Sequence, residues 1–303
     1  MSTAMLSQRF TWAELGHSSR ARWALDWMAC FALMVIFRGV LHHRTDGFHQ
    51  QFSLNDASLQ HPHSSQQRVP DTLLAYFSVL LPFLSVSGLS LCMKRRWACL
   101  NKAWLGLGMT IAITGCLTEL GKNLVGRPRP DFLDRCQPKH GFVASHSTTH
   151  YKSSLVDYTV CSTSIHARTL ADGFKSFPSG HSSMSFAGLV FLAWFLHGCG
   201  TSIIQNSARL SDSHEEVAPL DEARHLEEGL PAERVHSEPP LSLSLTSLII
   251  PLMPVMLAAY ISISRLMDYR HHPTDVLAGA ILGTTIGTAV YFVYHRPSNS
   301  LKL

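Results

Sequence analysis

Charged residues are scarce: Asp, Glu, Lys and Arg make up 15% of this 303-residue chain, against roughly 25% in an ordinary soluble domain. That shortage argues against a soluble enzyme, and with 46% hydrophobic residues the chain is too apolar to stay unfolded over most of its length. The seven cysteines (Cys30, Cys92, Cys99, Cys116, Cys136, Cys161, Cys199) contain no C-x-x-C spacing, so the common zinc and dithiol redox motifs are excluded. No run of Lys and Arg is long enough to grip nucleic acid, and no nucleic-acid partner is expected. An N-x-S/T sequon is missing too, so glycosylation marks no loop as luminal.

What the chain has is apolar sequence in blocks. Six stretches, near residues 23–41, 72–93, 103–121, 182–199, 243–263 and 276–294, reach the roughly 17 to 25 residues that a helix needs to cross the hydrocarbon layer. They predict an all-α fold, a polytopic membrane protein with six transmembrane helices in one bundle, residues 1–303 forming a single domain. The first stretch ends without a small-residue cleavage pattern and reads as an uncleaved helix, with Asp26 and Arg38 near enough to its ends to snorkel. The third and sixth are rich in Gly, Ala and Thr, which predicts interior helices. The Gly279, Gly283, Gly287 spacing also suits a homodimer face, but packing inside the bundle is the simpler expectation.

Charge is uneven along the chain. Residues 201–240 hold nine acids and three bases, a net of −6 in a chain of net +4, so the remainder carries +10. With four prolines besides, that segment predicts a disordered acidic loop between the fourth and fifth helices, without chemistry of its own. The basic remainder suits a bilayer surface or an anionic substrate. An even number of spans puts both termini on one side. The short loop with Lys94, Arg95, Arg96 and Lys102 shares it and assigns it to the cytosol.

Three polar clusters then fall together on the opposite face: Lys122 followed by Arg129-Pro130, Pro178-Ser179-Gly180-His181, and Ser264-Arg265 followed by His271 and Asp275. Prolines on either side hold Arg129 in extended backbone. Ser179 is a natural N-cap, Gly180 lets a ligand approach the backbone, and the free N–H groups of the first helical turn attract an anion, with His181 beside it. Pro273 suits the first turn of the sixth helix, leaving His271 just outside it and Asp275 placed to accept a hydrogen bond from His271 Nδ1–H. Such a bond frees Nε2 as a nucleophile. Arg265 adds a third cation with a fork that fits phosphate oxygens. Each piece alone is more often an interfacial anchor or a cap; together they specify phosphoryl transfer without a metal or other cofactor.

The clusters resemble the three signatures of the type 2 phosphatidic acid phosphatase superfamily: K-x6-RP, PSGH and SR-x5-H-x3-D. The wider strings GRPRPDFLDRC, DGFKSFPSGHSSMSFAG and DYRHHPTDVLAG are similar to the lipid phosphate phosphatase branch, above all the fungal diacylglycerol pyrophosphate and phosphatidate phosphatases. The resemblance implies hydrolysis of phosphatidate, lysophosphatidate or diacylglycerol pyrophosphate through a phosphohistidine. His271 would be the nucleophile, Asp275 its partner, His181 the general acid, and Lys122, Arg129, Arg265, Ser179 and Gly180 the phosphate cradle. It also implies a luminal or extracellular site, in an endomembrane (vacuole, Golgi or endoplasmic reticulum) or the plasma membrane. The competing classes are a phosphotransferase with an alcohol acceptor and a non-catalytic lipid binder; hydropathy alone would have favoured a transporter. Cys136 and Cys161 share the loop assigned to the oxidising side, and a disulfide between them is expected.

Overall fold

The computed structural model describes residues 18–42, 47–64, 66–93, 96–139, 155–162, 166–215 and 245–295. Among these, six helices are long and apolar enough to cross a membrane: Ala21–Leu41, Asp71–Leu91, Arg96–Val125, Gly180–Gly200, Ile249–Met267 and Pro273–Tyr294. They are called the first to sixth helices below. The fold is all-α, apart, among the described residues, from one two-stranded antiparallel pair, Phe52–Ser53 with Leu155–Val156. Lys94 and Arg95, on which the orientation argument leaned, lie outside the described residues.

The fourth helix continues beyond the membrane-length segment to Glu215, so residues 201–215 are helical where a disordered loop was expected. The reason is local: neither Gly nor Pro interrupts the chain between Gly200 and Pro219. Residues 216–240 of the expected loop lie outside the described residues.

The interior helices are the third and the fourth rather than the third and the sixth. Ala103, Leu107 and Ile111 of the third pack with Leu189, Phe191, Leu192 and Phe195 of the fourth in the buried core. The sixth buries one narrow stripe, Gly279, Gly283 and Gly287 with Asp275 and Tyr291. A Cβ at Gly283 would lie 2.2 Å from the Ser183 carbonyl, and one at Gly279 2.6 Å from that of Ser179. Small residues set how close two backbones come on one side; they do not require burial all round. The stripe is thus spent within the chain, against the fourth helix. Asp26 is also engaged inside the bundle, accepting a hydrogen bond from Tyr294 Oη at 3.2 Å.

Proline sets a second close approach. Pro82 has no N–H for the carbonyl four residues back, and the second helix widens into a π turn over Tyr76–Leu80. The Ser78 carbonyl sits on the fourth helix, where a Cβ at Gly188 would come within 1.9 Å of it.

At one end of the bundle the loops build a small second core from Phe52, Leu59, Phe132, Val156, Val160 and Phe174. Cys136 and Cys161 are joined there by a disulfide across a sequence separation of 25. Closing such a span stabilises by roughly 3 kcal/mol, chiefly by restricting the unfolded chain. Both sulfurs are expected to resist alkylation in non-reducing mass spectrometry until reductant is added; alkylation without reductant would remove the bond. Hydrogen bonds tie this cap to the helix ends: Phe48 N to Asn123 O, Gln50 N to Gly126 O, and His61 N to Pro130 O.

Candidate active site

The three clusters meet under the cap. Lys122 lies in the last turn of the third helix, which closes as Gly126 N donates to Lys122 O and the chain turns through the positive φ of Gly126. Only glycine fits there, since a Cβ would strike the Phe48 carbonyl at 1.8 Å. The turn releases Arg127-Pro128-Arg129-Pro130 across the bundle mouth, pinned by Arg129 N to Gly173 O and Ser176 N to Arg127 O. Lys122 Nζ donates to Glu119 at 2.6 Å. It also stands 3.0 Å from where a Cβ of Gly180 would be, so Gly180 admits the ammonium to the start of the fourth helix.

Arg129 Nη2 donates to Asp172 at 2.8 Å, while its Nε is buried with no partner among the described residues. Asp172 also accepts from Arg135 Nη1 at 2.8 Å, and Arg270 lies 3.8 Å away. Burial works to raise the Asp172 pKa, but Arg129, Arg135 and Arg270 outweigh it and hold the carboxyl well below its usual range. Burial, then Arg129 and Arg135, push Arg270 down to about 10, which leaves it charged at neutral pH. Asp131, fully buried, takes Arg135 Nη2 at 2.9 Å and His63 Nδ1 at 2.6 Å.

Ser179 caps the fourth helix, its Oγ accepting from Ser182 N at 3.4 Å and its carbonyl from Ser183 N at 3.0 Å. His181 is buried in the first turn. Its Nε2 lies 3.0 Å from the Val69 carbonyl, which can only accept, so Nε2 carries the proton and Nδ1 is left for exchange. Arg265 is enclosed: Nη1 donates to Gln67 at 2.8 Å, Nη2 to Asp268 at 2.9 Å, and both Nε and Nη2 to Ser264 Oγ at 3.1 Å.

The expected pairing of His271 with Asp275 does not form. His271 Nδ1 lies 2.7 Å from the carbonyl of Ser176 instead. Asp275 sits at the third position of the sixth helix and turns back to accept from His272 N at 2.9 Å, closing a capping box. Its carboxylate also takes Arg127 Nη1 and Ser176 Oγ, each at 2.6 Å. A carboxylate drawn to the helix start cannot also reach the ring outside it, so Asp275 acts on His271 only through Ser176. The consequence for His271 is nevertheless the one sought: a carbonyl acceptor keeps the proton on Nδ1 and leaves the Nε2 lone pair free. Burial, then the charges of Arg129 and Lys122, hold the imidazole well below its ordinary pKa, with the Ser176 bond working the other way. His271 is neutral, next to a concentration of positive charge. That combination suits attack on phosphorus and stabilisation of the charge that develops.

Sequence reasoning named the cations and both histidines but not what holds them: Glu119, Asp131, Asp172, Ser176, Asp268, and Gln67 and Val69 from the loop before the second helix. Asp131, Asp172, Ser176 and Asp268 lie inside the wider strings quoted above, so composition near the motifs was the available signal. The Val69 and Ser176 carbonyls carry none, because every residue has one.

A family model described as the PAP2 superfamily matches residues 103–298. The probable diacylglycerol pyrophosphate phosphatase 1 of Schizosaccharomyces pombe is 35% identical over 244 residues, covering 80% of this chain and 71% of the relative. Diacylglycerol pyrophosphate phosphatase 1 of Saccharomyces cerevisiae is 32% identical over 279 residues, 91% and 80% of the two chains. Lipid phosphate phosphatase 2 of Arabidopsis thaliana is 31% identical over 275 residues, 90% and 77%. No solved structure matches significantly. The matched region takes in all three clusters and four of the six helices, and the chain therefore belongs to the PAP2 superfamily, the type 2 phosphatidic acid phosphatases.

Proposed function

We propose that the protein is a membrane-embedded lipid phosphate phosphatase acting on phosphatidate, lysophosphatidate or diacylglycerol pyrophosphate. The observation that carries this reading is His271, buried and neutral, its Nδ1 proton committed to the Ser176 carbonyl and its charge state shaped by Arg129 and Lys122. In the first step His181 enters as an imidazolium, protonated on Nδ1 as well as Nε2; His271 Nε2 attacks phosphorus, the P–N bond forms, and the bond to the leaving oxygen breaks as His181 gives up its Nδ1 proton. In the second step water attacks the phosphohistidine, giving up a proton to His181, and inorganic phosphate leaves with His271 restored. Lys122, Arg129, Arg265 and the N–H groups after Ser179 and Gly180 receive the equatorial oxygens. Asp275 orients Ser176 and the start of the sixth helix.

The disulfide under the cap supports a luminal or extracellular site, because such bonds persist in oxidising compartments. Both termini are then cytosolic. The names of the fungal and plant relatives support the substrate class. Purified protein in detergent micelles should release inorganic phosphate from phosphatidate and diacylglycerol pyrophosphate with no added alcohol; a strict requirement for an alcohol acceptor would make it a transferase. Turnover in excess EDTA is expected to stay within about twofold of the untreated rate, since the cations already supply the charge that Mg²⁺ would bring. Complete loss, restored by Mg²⁺, would overturn that mechanism.

A further inference from the structure

Each side-chain cation of the cradle is paired with a carboxylate that no signature position specifies: Lys122 with Glu119 at 2.6 Å, Arg129 with Asp172 at 2.8 Å, and Arg265 with Asp268 at 2.9 Å. The geometry points to Glu119, Asp172 and Asp268 as positioning residues that set how tightly the site holds phosphate, each orienting a cradle cation and offsetting part of its charge, Asp172 being shared with Arg135 and Asp268 with Arg68. This inference rests on the cradle assignment proposed above.

Three unpaired cations would attract any phosphate dianion, product included, and slow its release. Pairing leaves their N–H donors aimed while the excess of positive charge at the site is reduced. Binding then depends more on geometry, which can favour the transition state, and less on charge, which the substrate, transition state and product share. Glu119 and Asp268 are buried, where such pairing is only weakly screened. Asp172 is different, with a side chain 45% exposed at the mouth.

The pairs also differ in what remains when the carboxylate is removed. Arg265 would keep Ser264 and Gln67, so its fork stays in place and the gain in positive charge dominates. Lys122 would keep the amide oxygen of Glu119→Gln. Arg129 has no other side-chain hydrogen bond among the described residues, so losing Asp172 leaves the guanidinium with no side-chain partner to fix its direction, and misplacement outweighs the gain in charge.

The opposite signs make the test. With purified full-length protein and tungstate as competitive inhibitor of phosphatidate hydrolysis, Asp268→Asn and Glu119→Gln should lower Ki roughly tenfold and lower kcat as release slows. Asp172→Ala should raise Ki and KM together, by about tenfold. A merely structural role would reduce the yield of active protein without moving Ki per active site. Arg129→Ala is run in parallel: if its Ki is unchanged, the cradle assignment itself fails. If Arg129→Ala loses inhibition while the carboxylate variants leave Ki unchanged or move it in the wrong directions, the positioning role alone is overturned. Should both buried variants fail to fold, Asp172→Ala, at a half-exposed position, decides the matter by its Ki.

Discussion

His271→Ala is expected to reduce phosphatase turnover below about 1% of the unmodified protein, because no other group can form the phosphoenzyme. The adjacent His272 is already committed: its backbone N–H donates to the Asp275 carboxylate, its Nε2 lies 3.1 Å from the Pro128 carbonyl, and Pro273 fixes the chain just beyond it. Residual activity well above that level would mean that His271 is not the nucleophile. The pH profile gives a second check. Protonation of Nε2 destroys the nucleophile, and the depressed pKa means that protonation comes only well below the ordinary imidazole range. With diacylglycerol pyrophosphate, whose leaving group needs little help from an acid, activity should therefore persist as pH falls through about 6.5. An acid limb centred at that value would show that burial and the charges of Arg129 and Lys122 do not hold His271 neutral.

His181→Ala should separate the substrates. Cleaving phosphatidate expels an alkoxide, which needs a proton as the bond breaks; cleaving the pyrophosphate expels a phosphate, which is stable unprotonated. General acid catalysis is worth roughly 10²–10⁴-fold. We therefore expect phosphatidate turnover to fall by at least about a hundredfold, and pyrophosphate turnover by about tenfold or less. Phosphorus-31 measurement of both substrates in one reaction would read this ratio directly. Equal losses would remove His181 from the acid role and leave it as a group that shapes the first turn of the fourth helix.

Much of this was legible in the chain. Six apolar blocks announced six helices because a bilayer sets their length, and the ends were missed mainly where helices run on into water, as at Arg96 and beyond Gly200. The cations and histidines were legible because phosphate chemistry demands particular side chains at helix ends. The partner of His271 was not. A four-residue offset from His271 places Asp275 near the ring, but its three-residue offset from His272 defines a capping box, and which donors the carboxylate meets depends on where Ser176 and Arg127 arrive from other segments.

The amino-acid sequence by itself determined the all-α membrane architecture, the clustering of three signatures on one face, and the identities of the reactive side chains. These follow from hydropathy over a helix length and from side-chain chemistry, both local along the chain. Tertiary structure alone decided that the glycine stripe of the sixth helix serves the fourth, and that two backbone carbonyls, from Val69 and Ser176, set the histidine tautomers. It also decided that every cradle cation is paired with a carboxylate, Asp172 being shared with Arg135 and Asp268 with Arg68. The physical reason is that peptide carbonyls are the same at every residue, and an ion pair depends on distances of a few ångströms between segments that only the folded bundle brings together.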